Sequence, residues 1–503
     1  MFFNDHRGRL SGCAVTGILL AAMLLGSCSG AKGSEVLAES QARPVITIMA
    51  PLHFPQGPDS SLVEQMEEMT GTNLIIDWVP DEIYTDKMNA ALTMNSLKKA
   101  TFVKYTDYIF LKSAIRSGMF WEVGSYLSEY PNLKRLNNSI LDQTAVDGKI
   151  YGLYTERPSS RQGVIIREDW LQKLKLDPPK TIDQLYNVMK QFTYGDPDGD
   201  GKQDTIGLTD RNDLVFGAFK TLSSYFGTPN NWSAQNHQII PEFETPQYKD
   251  TMDFMRKLYN EKLINQEFVV TSKDIQRDLL ISGRAGVYIG SMTDVQRLSN
   301  EVRRVNPDAR FTVVNRIEGP DGYKVWSIPN FNGLFLFSKS AIKTEDELKQ
   351  VLAFFDGSME ADAANLMKYG LEGRHYALEG KEVLLPVKSE QLRISEVSPL
   401  YSLMIADLSN PNLMKVAQED PLLALAEKLT VDNEKFIVKD PAANLESVTF
   451  DEHSEELNKI ITDATYHYIL GQIDWNGFNQ EIERWKRSGG EQIIEEFTQS
   501  YFE

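Results

Sequence analysis

From Val45 onward the chain alternates short apolar runs with stretches of helical period. Val45-Ile-Thr-Ile-Met-Ala50 is β-branched and continuous, as a strand buried on both faces should be. A helix is predicted over 60–69, stopped by Gly71, and Leu74-Ile-Ile-Asp-Trp-Val79 makes the next strand. A helical stretch over 84–97 then leads to a third predicted strand, Tyr105-Thr-Asp-Tyr-Ile-Phe110. The pattern restarts after Ile150-Tyr-Gly-Leu153: Gly163-Val-Ile-Ile166 reads as a strand and 167–175 as a helix. Thr181-Ile-Asp-Gln184 has the form of a capping box opening a helix to about residue 192. Residues 285–289 and 333–337 read as further strands. Thr344-Glu-Asp-Glu347 caps an amphipathic helix with Leu348, Val351, Leu352 and Phe355 on one face. The last third, from about Pro399, is mostly helical. Strands alternating with helices imply a parallel sheet covered on both faces, and the restart implies two similar α/β lobes joined by crossovers.

The N-terminus reads differently. Arg7 and Arg9 precede an apolar run of about a dozen residues, 14–25, too short for a bilayer core that needs roughly 20. The run ends in Leu25-Gly26-Ser27-Cys28, which resembles the lipobox of bacterial lipoproteins: small residues let the peptidase in, and the thiol of Cys28 takes the lipid. Residues 1–27 are therefore expected to be a removed signal peptide, with 28–43 a flexible polar tether. The other cysteine, Cys13, falls inside the signal, so thiol catalysis and cysteine-held metals are excluded from the mature chain. Residues 1–27 carry one net positive charge, so the whole-chain −19 becomes −20 after cleavage. So acidic a chain is not expected to bind nucleic acid; Arg161 and Arg374 could serve a carboxylate, yet the net charge argues against general polyanion capture, and a neutral and a uronic ligand both stay open. About 475 residues is too long for one core, which again predicts two lobes.

Asp196-Pro-Asp-Gly-Asp-Gly-Lys-Gln-Asp204 matches an EF-hand loop. Asp196, Asp198, Asp200 and Asp204 stand at positions 1, 3, 5 and 9, Gly201 at 6, and Lys202 at 7, where the backbone carbonyl ligates. Ca²⁺ wants six to eight oxygens, and this loop offers a compact set for a structural ion. Position 12 is Gly207 and position 10 is Thr205, so the usual bidentate acid is missing. An acidic, glycine-rich turn without an ion is the alternative.

Further motifs follow in order. Asp147-Gly-Lys-Ile-Tyr-Gly152 sits at the restart, and Ile166-Arg-Glu-Asp-Trp-Leu171 precedes Pro178 and the capped helix. Gly319-Pro-Asp-Gly322, Trp326 and Asn330-Phe-Asn-Gly333 come next, then Tyr369-Gly-Leu-Glu-Gly-Arg-His-Tyr376 and Trp485-Lys-Arg-Ser-Gly-Gly490. Together with the calcium loop, this series resembles the carbohydrate-type extracellular solute-binding proteins of bacterial ABC importers. One stretch, Lys98-Lys-Ala-Thr-Phe-Val-Lys104, departs from the turn usual in such proteins.

The resemblance implies a two-lobed, periplasmic-binding-protein-like (type II) α/β fold, a Venus flytrap with hinge crossovers. Lobe 1 is expected over 44–155 and 320–372, and lobe 2 over 156–319 and 373–503. It implies a membrane-anchored monomer outside the cell that captures an oligosaccharide and passes it to ABC permease subunits. A sugar site wants aromatic platforms ringed by polar side chains. Trp326 near the hinge return is the first candidate, then Tyr376 and Arg374, then Trp121, Tyr154, Arg161 and Trp232. Trp170, Trp475 and Trp485 fall on helical patterns and are expected to pack. The chain has no nucleophile elbow, no His-Glu-x-x-His and no phosphate loop, so binding rather than catalysis is expected. An extracellular carbohydrate-active enzyme and a sensory or adhesion lipoprotein on the same scaffold remain the alternatives.

Overall fold

Nine strands build the two larger sheets: β1 (Val45–Leu52), β2 (Asn73–Pro80), β3 (Ala100–Lys104), β4 (Gly152–Glu156), β5 (Gln162–Arg167), β6 (Ile206–Thr209), β7 (Ala285–Ser291), β8 (Phe311–Val314) and β9 (Phe331–Phe337). They come from a computed structural model that describes residues 43–417 and 420–502. The signal peptide, Cys28 and nearly all of the tether lie outside the described residues. Among the described residues no helix is long and apolar enough to cross a membrane.

The first sheet has the order β2-β1-β3-β9-β4 and the second β8-β5-β7-β6. Neither is purely parallel, contrary to the expectation. β1 runs parallel to β2 and β3, but β9 is antiparallel to both β3 and β4. In the second sheet β6 and β7 are parallel, while β5 is antiparallel to β7 and β8. The reason is the connectivity: β5 and β9 enter their sheets from a crossover segment, at the edge where the parallel strands end. Each sheet is backed by helices. In the second lobe the helix Ile182–Tyr194 is capped by Thr181, whose Oγ1 accepts from the Gln184 N–H, and it buries Leu185, Val188, Met189 and Phe192.

The third strand differs most from expectation. The strand is Ala100–Lys104, and Tyr105–Arg116 is a helix. Tyr108, Leu111 and Ile115 stand at i, i+3 and i+7 and are all buried, a spacing that suits a helix and not a strand. Asp107 in the first turn and Arg116 in the last suit the helix dipole. The stretch that departed from the family turn is thus itself the central strand.

The apolar interior separates by lobe. One core joins Ile46 to Tyr154 with Phe331 to Ala406, and the other runs from Val164 to Val325 and through the C-terminal helices to Phe497. This moves two expected boundaries. The expected second-lobe stretch from 374 to 413 packs with the first lobe, through the Arg374–Asp59 pair, the core residues of 397–406 and Leu413, and Val325 belongs to the second lobe rather than the first. The chain crosses between lobes at 157–161, at 327–330, and between Leu413 and Leu422. The first two crossings are tied together by Arg157 N–H to Asn330 O (2.9 Å) and Ile328 N–H to Ser159 O (2.8 Å). The Asp147–Gly152 motif precedes the crossing: it forms a tight hairpin with Asp147 and Gly148 at positive φ.

Candidate functional site

A cleft of about 1100 Å³ lies between the lobes. Its walls are built where the sheets point their strand ends. His53 and Asp81 follow β1 and β2, while Lys104, Tyr105 and Thr106 close β3. Across the cleft, Arg211 to Phe216 follow β6, and Ser291 and Asp294 end β7. Gln162, the first residue of β5, pairs with Ser291 because those strands are antiparallel. The floor is the pair of crossings, with Arg157, Arg161 and residues 326–329. Open α/β sheets bind ligands at their carboxyl ends, and this cleft occupies that position in both lobes.

Of the seven residues expected to bind ligand, Trp326 and Arg161 line the cleft. Trp326 is only 3% exposed: its indole N–H donates to Thr221 Oγ1 (3.0 Å) and its ring lies 5.9 Å from that of Phe216, so little of it is open to the cleft. The other five are elsewhere. Tyr154 is fully buried in the first core, with its hydroxyl accepting from the Asn137 N–H. Trp121 donates to the Ile342 carbonyl. Trp232 packs against Trp485 and Phe497. Arg374 pairs with Glu396 (2.7 Å) and Asp59 (3.2 Å), and Tyr376 lies beside Tyr369. His375 is buried, accepting from the Leu371 N–H at Nδ1 and meeting Glu396 at Nε2. That motif is a structural knot of the first lobe. Trp170 and Trp485 pack, as their helical spacing predicts.

Sequence reasoning missed the aromatics Tyr105 and Phe216, which line the cleft half-buried and are more open to it than Trp326. Displacing the third strand by five residues hid Tyr105; the signal for Phe216 was its place just after β6. Burial and the nearby Asp440 push the Tyr105 hydroxyl up to about 12. Amides and hydroxyls complete the lining: Asn212, Asn230, Asn231, Thr271, Ser272 and Asn332.

Charge in the cleft runs against charge in the chain. Six cations line it against four carboxylates, in a protein of net −19. The whole-chain charge is therefore no guide to what this cleft holds. Burial, and the Arg161 charge beside it, bring the Arg157 guanidinium down to about 10. Lys273 is lowered by burial and by the surrounding Arg277, Arg211 and Arg161. Asp440 is pushed up to about 6 by burial, although Asn231 Nδ2 (2.8 Å) and the Ala442 N–H (2.9 Å) donate to it.

Away from the cleft, Asp196, Asp198 and Asp200 bring carboxylate oxygens within 4.8 Å of one another. Asp204 is not part of this group, and the Lys202 ammonium pairs with Asp200 at 2.8 Å. The Gly199 N–H donates to Asp196 (2.9 Å), shaping the turn as an EF-hand loop would. Three converging hard oxygen donors fit Ca²⁺, with the remaining positions left for backbone carbonyls and water.

The model of the family "Bacterial extracellular solute-binding protein" matches residues 57–355. The polygalacturonan/rhamnogalacturonan-binding protein YtcQ of Bacillus subtilis (strain 168) is 43% identical over 96% of this chain and 97% of its own. Lipoprotein LipO of the same organism is 33% identical over 96% and 97%. An HMO-binding, ABC-transporter-associated solute-binding protein from Bifidobacterium longum infantis ATCC 15697 superposes with a TM-score of 0.72 over 91% of this chain and 98% of that one, at 17% identity. Two lobes, a cleft at the strand ends and matches of this extent agree: the chain belongs to the bacterial extracellular solute-binding proteins.

Proposed function

We propose that this protein is the lipid-anchored receptor of an ABC importer, which captures an oligosaccharide in the inter-lobe cleft and delivers it to permease subunits. The observation that carries this reading is the cleft itself. It has room for several sugar rings, aromatic rings on both sides (Tyr105 and Phe216), amides between them, and paired crossings that can act as a hinge. The relative named for polygalacturonan and rhamnogalacturonan supports a polysaccharide fragment as the cargo. Binding without turnover is the expected chemistry. Isothermal titration of the mature protein against a panel of neutral and acidic oligosaccharides tests it: saturable binding with the glycan recovered intact supports the reading, and silence across the panel sinks it.

Two further features belong to the proposal. The lipobox at Leu25–Cys28 and the relative named a lipoprotein support a diacylglyceryl anchor on Cys28. Two chains hold a protein on a membrane where one does not. Cys28→Ala is expected to release the protein into the medium, and release of none would remove the anchor from the proposal. The Asp196–Asp200 group supports a structural Ca²⁺ that stiffens the loop after the helix Ile182–Tyr194.

A further inference from the structure

We infer that the oligosaccharide captured here is anionic and carries carboxylates, and that Arg157, Arg161 and Lys273 form the subsite that reads them. The inference rests on the oligosaccharide reading above and adds the chemical class of the sugar. It follows from an account of every charge facing the cleft. Asp81 is taken by Lys104 (2.5 Å) and Asp213 by Arg211 (3.0 Å), while Lys220 is held by Glu242 (2.5 Å). Asp294 accepts from the Tyr288 hydroxyl (3.2 Å) and faces Arg277 (3.8 Å). Asp440 is occupied by Asn231 and the Ala442 N–H. Three of the cations thus have partners and all four carboxylates are engaged. Arg157, Arg161 and Lys273 are left with no carboxylate within 4 Å among the described residues.

Their positions are costly without an anion. Arg157 is held over the Tyr105 ring (5.6 Å) by bonds from Nε to Pro329 O (3.2 Å) and from Nη1 to Asn332 Oδ1 (3.3 Å), so its remaining N–H groups are aimed and not mobile. Arg161 has its Nε buried with no hydrogen-bond acceptor. Lys273 is the first residue of the helix Lys273–Ile281, where the dipole disfavours a cation. Three like charges around one space repel, and the half-buried Arg157 and Arg161 lose hydration that the protein replaces only in part, while Lys273 stands at the exposed side. A neutral sugar leaves that cost in place. A uronic acid unit removes it, because a carboxylate accepts two N–H bonds from a guanidinium fork in one plane. The same argument accounts for an acidic protein having a basic cleft. The outer surface faces solvent, whereas the cleft faces the cargo.

The test is calorimetry on the mature protein with four probes of equal length: tetragalacturonate, its full methyl ester, a neutral tetrasaccharide and a sulfated neutral tetrasaccharide. The acid is expected to bind at least about thirtyfold tighter than the ester. Arg161→Gln and Lys273→Gln are each expected to weaken the acid by about tenfold or more, while moving the ester by less than about twofold. Thermal unfolding of both variants shows whether the fold survives; Lys273, on the helix surface, provides the readout if the hinge variant does not fold. Equal binding of acid and ester, tightest binding of the neutral or sulfated probe, or variants that weaken acid and ester alike would overturn the subsite while leaving oligosaccharide capture standing. Binding of none of the four, nor of any other glycan, would instead overturn the oligosaccharide reading itself.

Discussion

The chain gathers like charge in two places, the aspartates of 196–200 and the cations of the cleft, and the two clusters are built oppositely. The aspartates stand largely in water. Asp198 and Asp200 are exposed, Lys202 pairs with Asp200, and backbone N–H groups cover Asp196. Burial and the neighbouring Asp196 and Asp200 push the Asp198 carboxyl up, but solvent and a shared proton can relieve that strain. The cleft cations have no such outlet: Arg157 is titrated downward by burial, and Arg161 keeps a buried Nε without an acceptor. The comparison teaches that burial, and not the number of charges, decides how strongly a cluster demands a partner. An exposed acidic loop can persist as a turn. A half-buried cationic corner is poorly explained without its ligand.

The largest expected effect comes from giving the corner its own anion. Arg161→Glu places a carboxylate beside Arg157 and Lys273, so the cleft should reject an acidic oligosaccharide by about 100-fold, near 3 kcal/mol. Calorimetry measures it; retention of wild-type affinity would break the contrast between the two clusters. Next in size is Ca²⁺ at the loop. Saturating Ca²⁺ should raise stability by about 1–3 kcal/mol through linkage, seen as a higher Tm that a chelator reverses. Asp198→Asn should abolish that response and, in chelator, raise Tm slightly by relieving repulsion. Neither change should alter oligosaccharide affinity, since the loop does not line the cleft. An unchanged Tm would make the loop a solvated turn.

The pH dependence sharpens the comparison further. The Asp440 carboxyl ionises at about 6 in the folded protein, well above its ordinary 3.8, so it is neutral at pH 5 and charged at pH 7. Its loss of charge on acidification leaves the cleft more positive, while uronate groups stay ionised. Affinity for the acidic sugar should therefore rise about threefold from pH 7 to pH 5. Asp440→Asn should flatten that rise. A slope unchanged by Asp440→Asn would show that this carboxyl does not titrate in the cleft.

Legibility in the sequence followed locality. Buried strands such as Val45–Leu52 and Gln162–Arg167 read correctly because continuous apolar runs need no knowledge of their neighbours. The helix Tyr105–Arg116 was misread as a strand because its aromatic start mimics one; the i, i+3, i+7 pattern appears only past residue 110. The antiparallel entry of β5 and β9 depends on where the chain re-enters each sheet, which no local window records. Arg161 and Trp326, both at crossings, line the cleft, whereas Arg374 does not. Its partners Asp59 and Glu396 lie 315 residues before and 22 after it, and only folding shows that they consume its charge. Net charge says least about the cleft. It describes the average surface, and the cleft is where the average fails.

A third cluster, an ion-pair bridge between the lobes, gives the smallest effect and the strictest check on the role of burial. Arg116, at the end of the first-lobe helix, bonds Asp147 of its own lobe (3.3 Å) and reaches Glu446 (2.7 Å) and Asp451 (3.9 Å) of the other. The pairs join the lobes, yet Glu446 and Asp147 are more than half exposed. Exposed pairs contribute about 0.2–1 kcal/mol and are screened by salt. Arg116→Ala should therefore weaken any bound glycan by only about two- to fourfold, equally for acid and ester, because closure and not recognition is affected. High salt should shrink the difference between variant and wild type. A loss as large as that of Arg161→Glu would mean that exposed pairing between the lobes rivals recognition in the cleft, and burial would then no longer rank the three clusters. A loss confined to the acidic sugar would give Arg116 a part in recognition rather than in closure.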